Sequence, residues 1–108
     1  MQQSTSSAAR RQFERHLTKA NAFIHYRGQF QPAKVVDYSA GGLQLTGTFG
    51  LIKPDQVEIE FISGIRVPAF VAWSLGAQTG ILYSEPLPID HPALIDLARR
   101  AGITIGTL

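Results

Sequence analysis

Two short polar clusters hold most of the residues in this chain whose types and spacing can do chemistry. The first is Arg10-Arg11-Gln12-Phe13-Glu14-Arg15, and the second is Asp37-Tyr38-Ser39-Ala40-Gly41-Gly42. Arg11 and Arg15 are four positions apart, so a helical turn would put both guanidiniums on one face, and a loop would still let them converge. A guanidinium grips phosphate with two parallel hydrogen bonds, matches the O6/N7 edge of guanine and stacks over a planar base. Lysine manages only the first, as a point charge. In the second cluster the Asp37 carboxylate can receive N–H donors from a guanine edge. Ser39 and the backbone near Gly42 face the same opening, and Gly41-Gly42 permits backbone conformations closed to other residues. Together the clusters suit a ligand that carries both phosphates and a hydrogen-bonding base. Read separately, each has a simpler explanation: arginines solvating a leader, and a β-turn.

Composition limits what else the chain can be. Its 108 residues suffice for one domain with a modest core. Hydrophobic residues make up 44% and charged residues 17%, which reads as globular. Cysteine is absent, and with it disulfides, thiolate nucleophiles and sulfur-based zinc sites. The polar start, Met1 to Ala9, does not read as a signal peptide, and no segment reads as a membrane span, so a cytoplasmic location is expected. The net charge of +2 is unevenly placed. Through Lys34 there are six basic residues against Glu14 alone; from Val35 onward there are four basic and seven acidic residues. An anion should be drawn to the first third of the chain.

The elements that must position the clusters are short strands. Residues 1–9 read as a disordered leader. Ala20 to Arg27 is a first strand ended by Gly28, and Pro32 to Asp37 and Leu43 to Thr46 flank the Gly41-Gly42 corner. Val57-Glu58-Ile59-Glu60-Phe61 alternates most cleanly, with its apolar side chains inward and both glutamates facing water. Arg66 to Trp73 follows, with Pro68 marking an edge position or irregularity. Gly76 to Gly80 reads as a turn before Ile81-Leu82-Tyr83. This pattern favours an antiparallel barrel or sandwich. The tail changes period. Asp90 can cap a helix with Pro92 in its first turn, Arg99 and Arg100 suit its C-terminal end, and Gly102 stops it. Such a short helix should pack over an open end or side of the barrel.

Arg-x-x-x-Arg at 11–15 followed by Asp-x-Ser-x-x-Gly at 37–42 resembles the PilZ family, whose members bind the bacterial second messenger cyclic di-GMP. Arg10 matches the basic residue that often precedes the first motif arginine. Gly41-Gly42-Leu43-Gln44-Leu45 matches the strand leaving the second motif. Val71-Ala72-Trp73 and Gly80-Ile81-Leu82-Tyr83 look like the family's late strand pair. The resemblance implies an all-β fold, a six-stranded antiparallel β-barrel over residues 10–86, with a C-terminal helical segment at 87–102 and a tail at 103–108. It further implies that Arg11 and Arg15 bind phosphate and the guanine O6/N7 edge, assisted by Arg10. Asp37 would accept from guanine N1/N2, Ser39 would bond to phosphate or base, and Gly41 and Gly42 would keep the surface open. Binding would order the N-terminal switch and signal to an effector protein, with no cofactor and no turnover. The domain would be a monomer or a ligand-dependent dimer.

The remaining candidates are weaker. His16, His25 and His91 form no metal constellation; His25 should be exposed on the first strand and His91 belongs to the helix cap. Glu58 and Glu60 share a strand face but read as solvent-facing. Trp73 reads as core or inter-sheet packing, the lesser alternative being a protein-facing patch shared with Phe70. Two other functions compete: a ligand-independent interaction domain docking to a pilus or flagellar component, and a small barrel binding RNA or single-stranded DNA. The second lacks the expected aromatics interleaved with basic residues, so nucleic acid is disfavoured.

Overall fold

The computed structural model describes residues 14–88 and 90–106. Six strands, β1 (His16–Tyr26), β2 (Gln29–Tyr38), β3 (Gly42–Thr46), β4 (Gln56–Phe61), β5 (Arg66–Leu75) and β6 (Gln78–Tyr83), are followed by one helix, α1 (Pro92–Gly106). The strands close into an antiparallel barrel in the order β1-β2-β3-β6-β5-β4. Closure removes the unpaired edges that a half-buried sheet of this size would otherwise expose.

Alternation explains the core. Ile24, Val35, Leu45, Ile59, Phe61 and Val71 all point inward and are essentially inaccessible, filling the lumen with branched and aromatic side chains. Leu51, in the β3–β4 connection, is also buried. Thr48 donates to the Ala77 carbonyl at 3.2 Å and lies 2.6 Å from the Thr79 hydroxyl, so these two buried threonines satisfy each other. Glu58 and Glu60 do point outward, and both pair with Arg66, at 3.2 and 3.5 Å. His25 is not freely exposed as expected: its Nε2 lies 2.6 Å from Glu60 Oε1, because β1 and β4 pair His25 with Glu58 and set Glu60 on the diagonal.

Pro68 has no true edge to occupy in a closed barrel, but its place has the same logic. Its carbonyl accepts from Ser84 N, so its nitrogen faces the point where β6 has already ended. The missing N–H costs no ladder bond there. Gly80 lies within β6 and not in the preceding turn, which is confined to Gly76-Ala77.

The helix starts one residue later than the Asp90 cap implies. His91 Nδ1 accepts from Ala93 N at 3.1 Å and its carbonyl accepts from Ile95 N, which makes His91 the cap and Pro92 the first helical residue. The helix also runs through Gly102 to Gly106, so Arg99 is not at its C-terminal end. A glycine inside a helix costs only about 1 kcal/mol relative to alanine, which is not enough to terminate it. Ala93, Leu94 and Leu97 are buried, and Thr18 of β1 donates to the Leu97 carbonyl at 3.2 Å. The helix is therefore tied to the strand that the N-terminal arm leads into.

Candidate ligand-binding site

β1 is longer than its sequence suggests, starting at His16, so Arg15 stands immediately before a strand and not in a helical turn. Leu17 is the register partner of Asp37, which brings Arg15 to the same end of β2. There the Arg15 guanidinium donates to Asp37 Oδ1. The arginine stays 60% exposed and the aspartate 16%. The two polar clusters, 22 residues apart, thus meet through their charged members.

Simple alternation would turn Asp37 inward, since Val35 points into the core. A bulge between Val35 and Asp37 shifts the register by one residue and rotates Asp37 outward, with Tyr38 returning to the interior. Bulges of this kind re-aim a side chain without breaking the barrel.

Ser39 serves the turn itself. Its backbone N–H donates to the Gly42 carbonyl at 2.8 Å, and its Oγ accepts from Gly41 N at 3.1 Å and Gly42 N at 3.3 Å. The residue is buried. The hydroxyl and the backbone N–H groups that the sequence presents as open to a ligand are therefore engaged with one another. Outside the turn, Tyr83 N donates to the Gly41 carbonyl at 3.0 Å and Leu87 N to the Ala40 carbonyl at 2.8 Å, anchoring it to the end of β6 and the segment beyond. Ser39→Ala should cost about 1–2 kcal/mol by leaving those two N–H groups without their acceptor. Urea denaturation measures it, and an unchanged midpoint would show that the turn holds without the hydroxyl.

Gly42 is required by the barrel. A Cβ at this position would lie 2.0 Å from the Ile81 carbonyl oxygen, because β3 and β6 approach closely there. Beneath the turn, burial pushes the Tyr38 phenol pKa upward. Burial pushes Tyr83 up as well, reinforced by Tyr38. Neither phenol adds a charge beside Arg15 and Asp37, and Glu14, 4.0 Å from His16, is a further carboxylate at this end of β2.

Arg10 and Arg11 lie outside the described residues. Among the described residues no cluster of three or more His, Asp or Glu could hold a metal ion. A surface cleft of about 430 Å³ lies at the opposite end of the barrel, lined by Tyr26, Arg27, Phe30, Gln31 and Phe49, and shares no residue with this site.

The PilZ domain model matches residues 9–99, nearly the whole chain. The chain belongs to the PilZ domain family. The architecture agrees, a six-stranded antiparallel barrel with one C-terminal helix. Solved structures similar in fold include the Borreliella burgdorferi PlzA protein in complex with cyclic di-GMP, with a TM-score of 0.62 and 18% identity over 88% of this chain and 44% of that one. The cyclic di-GMP-bound PilZ domain of Escherichia coli YcgR gives a TM-score of 0.60 and 11% identity, covering 92% of this chain and 99% of that domain. The Bacillus subtilis inhibitor of motility MotI gives 0.63 and 20%, covering 87% of this chain and 52% of that one. This PilZ chain thus spans about half the length of PlzA and of MotI and nearly all of the isolated YcgR domain. No curated protein matches it significantly in sequence.

Two placements escaped the linear reading of this PilZ domain. One is the Arg15–Asp37 contact, which requires the β1–β2 register. The other is Trp73, which is 40% exposed and not in the core. Among the described residues no helix is long and apolar enough to cross a membrane.

Proposed function

We propose that this PilZ domain is a receptor for cyclic di-GMP, acting by binding and not by turnover. The observation that carries the reading is the contact of Arg15 with Asp37, which unites an Arg-x-x-x-Arg arm and an Asp-x-Ser-x-x-Gly turn at one end of β2. Support comes from the family match over residues 9–99 and from two neighbours of the same fold solved with cyclic di-GMP. In this reading Arg11 and Arg15, assisted by Arg10, take the phosphates and the guanine O6/N7 edge, while Asp37 accepts from guanine N1 and N2. Ser39, Gly41 and Gly42 shape the turn that presents Asp37.

The Arg15–Asp37 pair also suggests how the ligand is taken up. Arg15 and Asp37 neutralise each other until the ligand offers each a better partner, phosphate for the cation and the guanine edge for the carboxylate. The ligand exchanges one charge-assisted contact for two, and the arm settles over the turn. That ordered arm, beside β1 and the helix packed on it, is what a partner protein reads.

Isothermal titration of the purified protein with cyclic di-GMP tests the proposal. Saturable binding at micromolar protein is expected, and an absence of heat at that concentration would sink it.

A further inference from the structure

Every pair of neighbouring strands in this barrel is antiparallel, so odd-numbered strands run one way and even-numbered strands the other. The connections that follow odd strands therefore share one end. These are the β1–β2 turn (residues 27–28), the β3–β4 connection (residues 47–55) and the β5–β6 turn (residues 76–77). The Asp37–Gly42 turn lies at the other end. Four large apolar side chains stand open to water on the three connections or beside them. Phe49 and Leu75 are 75% exposed, Phe30 is 63% exposed and Ile52 52%.

Their backbone is held in place. Gln31 grips both polar groups of Phe49, its Nε2 donating to the carbonyl at 3.0 Å and its Oε1 accepting from the N–H at 2.9 Å. Gly47 N and Thr48 N both donate to the Ala77 carbonyl, at 2.8 and 3.1 Å, which ties the long connection to the turn that follows Leu75. At its far end, Asp55 N donates to the Ile52 carbonyl at 2.8 Å. The Asp55 carboxylate accepts from the Tyr26 hydroxyl at 2.6 Å and from Arg27 at 2.8 Å, which binds the same connection to the β1–β2 turn. Three connections are thus sewn into one surface with its apolar groups turned to solvent. Such an arrangement leaves apolar area in water until something covers it.

Charge decides what covers it. The three connections carry two cations, Arg27 and Lys53, and one carboxylate, Asp55, a net of +1. Asp55 is already engaged by Tyr26 and Arg27, while Arg27 remains 67% exposed and Lys53 is exposed. A second copy of this face would set like charge against like. Apolar tips on separate turns suit a fluid layer, which needs no matching shape. We infer that this end of the barrel docks on an anionic bilayer surface. Phe30, Phe49, Ile52 and Leu75 enter the boundary between headgroups and acyl chains, and Lys53 and Arg27 lie among the anionic headgroups. The Arg15–Asp37 site, at the opposite end, stays open to water, and docking does not depend on what binds there.

Flotation of the intact protein with vesicles tests the inference, using phosphatidylglycerol mixed with phosphatidylethanolamine, and phosphatidylcholine alone. Partition onto the anionic vesicles is expected, falling as salt is raised, with little onto phosphatidylcholine. Phe49→Ser should lower that partition about tenfold or more, and Lys53→Gln about fivefold. Both side chains are exposed, so the melting temperature should not move. Ile62→Ser is the control, since Ile62 is 49% exposed but belongs to the β4–β5 turn at the opposite end. It should partition as the wild type does. A wild-type protein that stays off the anionic vesicles would overturn the inference and leave this face to a protein partner. Undiminished partition in Phe49→Ser would overturn it too, as would an equal loss in Ile62→Ser, which would show adhesion without a preferred face.

Discussion

Replacing Arg15 with alanine is expected to lower cyclic di-GMP affinity by tenfold to a hundredfold or more while leaving the fold almost as stable as before. The first half follows from the bonds removed: a hydrogen bond to a charged group contributes about 1.5–3 kcal/mol, and a guanidinium on phosphate or guanine makes two at once. The second half follows from exposure. Arg15 is 60% exposed, and an ion pair of that kind is typically worth about 0–1 kcal/mol to the folded state, because water screens it. Titration calorimetry and thermal melting of the same sample separate the two effects. Because Arg15 and Asp37 are in contact, Arg15→Ala and Asp37→Ala should also combine non-additively. Unchanged affinity in Arg15→Ala would remove the residue from the site. A large loss of stability would show that the pair is structural.

Gly42→Ala should do the opposite, damaging the barrel before it damages recognition. The added methyl would stand 2.0 Å from the Ile81 carbonyl oxygen, a backbone atom that cannot swing aside. β3 and β6 would have to separate where Gly42 pairs with Leu82 and where the Gly41 carbonyl receives Tyr83 N–H. Overpacking of this severity costs about 3 kcal/mol or more, and a domain of this size loses about 4–8 °C of Tm for each kcal/mol. Gly47→Ala is the comparison. Its φ of 85° strains any side chain, but nothing lies within 4 Å, so only about 1–2 kcal/mol should be lost. Full stability with lost affinity in Gly42→Ala would return the glycine to a ligand-facing role.

These expectations differ from those that the motifs alone suggest. By resemblance, Ser39 and Gly42 belong to the ligand, one as a bond to phosphate or base and the other as open surface. Their geometry assigns both to the turn, with the serine hydroxyl between two backbone N–H groups and the glycine against a carbonyl of the neighbouring strand. Local sequence carries the need for a tight turn, but not which neighbour makes it tight.

The helix is a parallel case. Its existence and its packing on the barrel were legible from the change of period in the tail and from Pro92 in a first helical turn. Its two ends were not, because His91 takes the cap from Asp90 by a ring nitrogen and Gly102 is too weak a stop.

Residue order alone determined the all-β class and the alternating core of β4. Those properties follow from period-2 hydropathy and from residue types, which need no third dimension. Tertiary structure alone decided which side chains face outward against that alternation. Asp37 and Trp73 each follow an inward-facing valine and would be buried by strict alternation. One bulge in β2 and one in β5 reverse both, because a single extra residue flips every side chain after it. Where those extra residues fall depends on how six strands share one closed set of hydrogen bonds. That is a property of the barrel as a whole, written in no one of its strands.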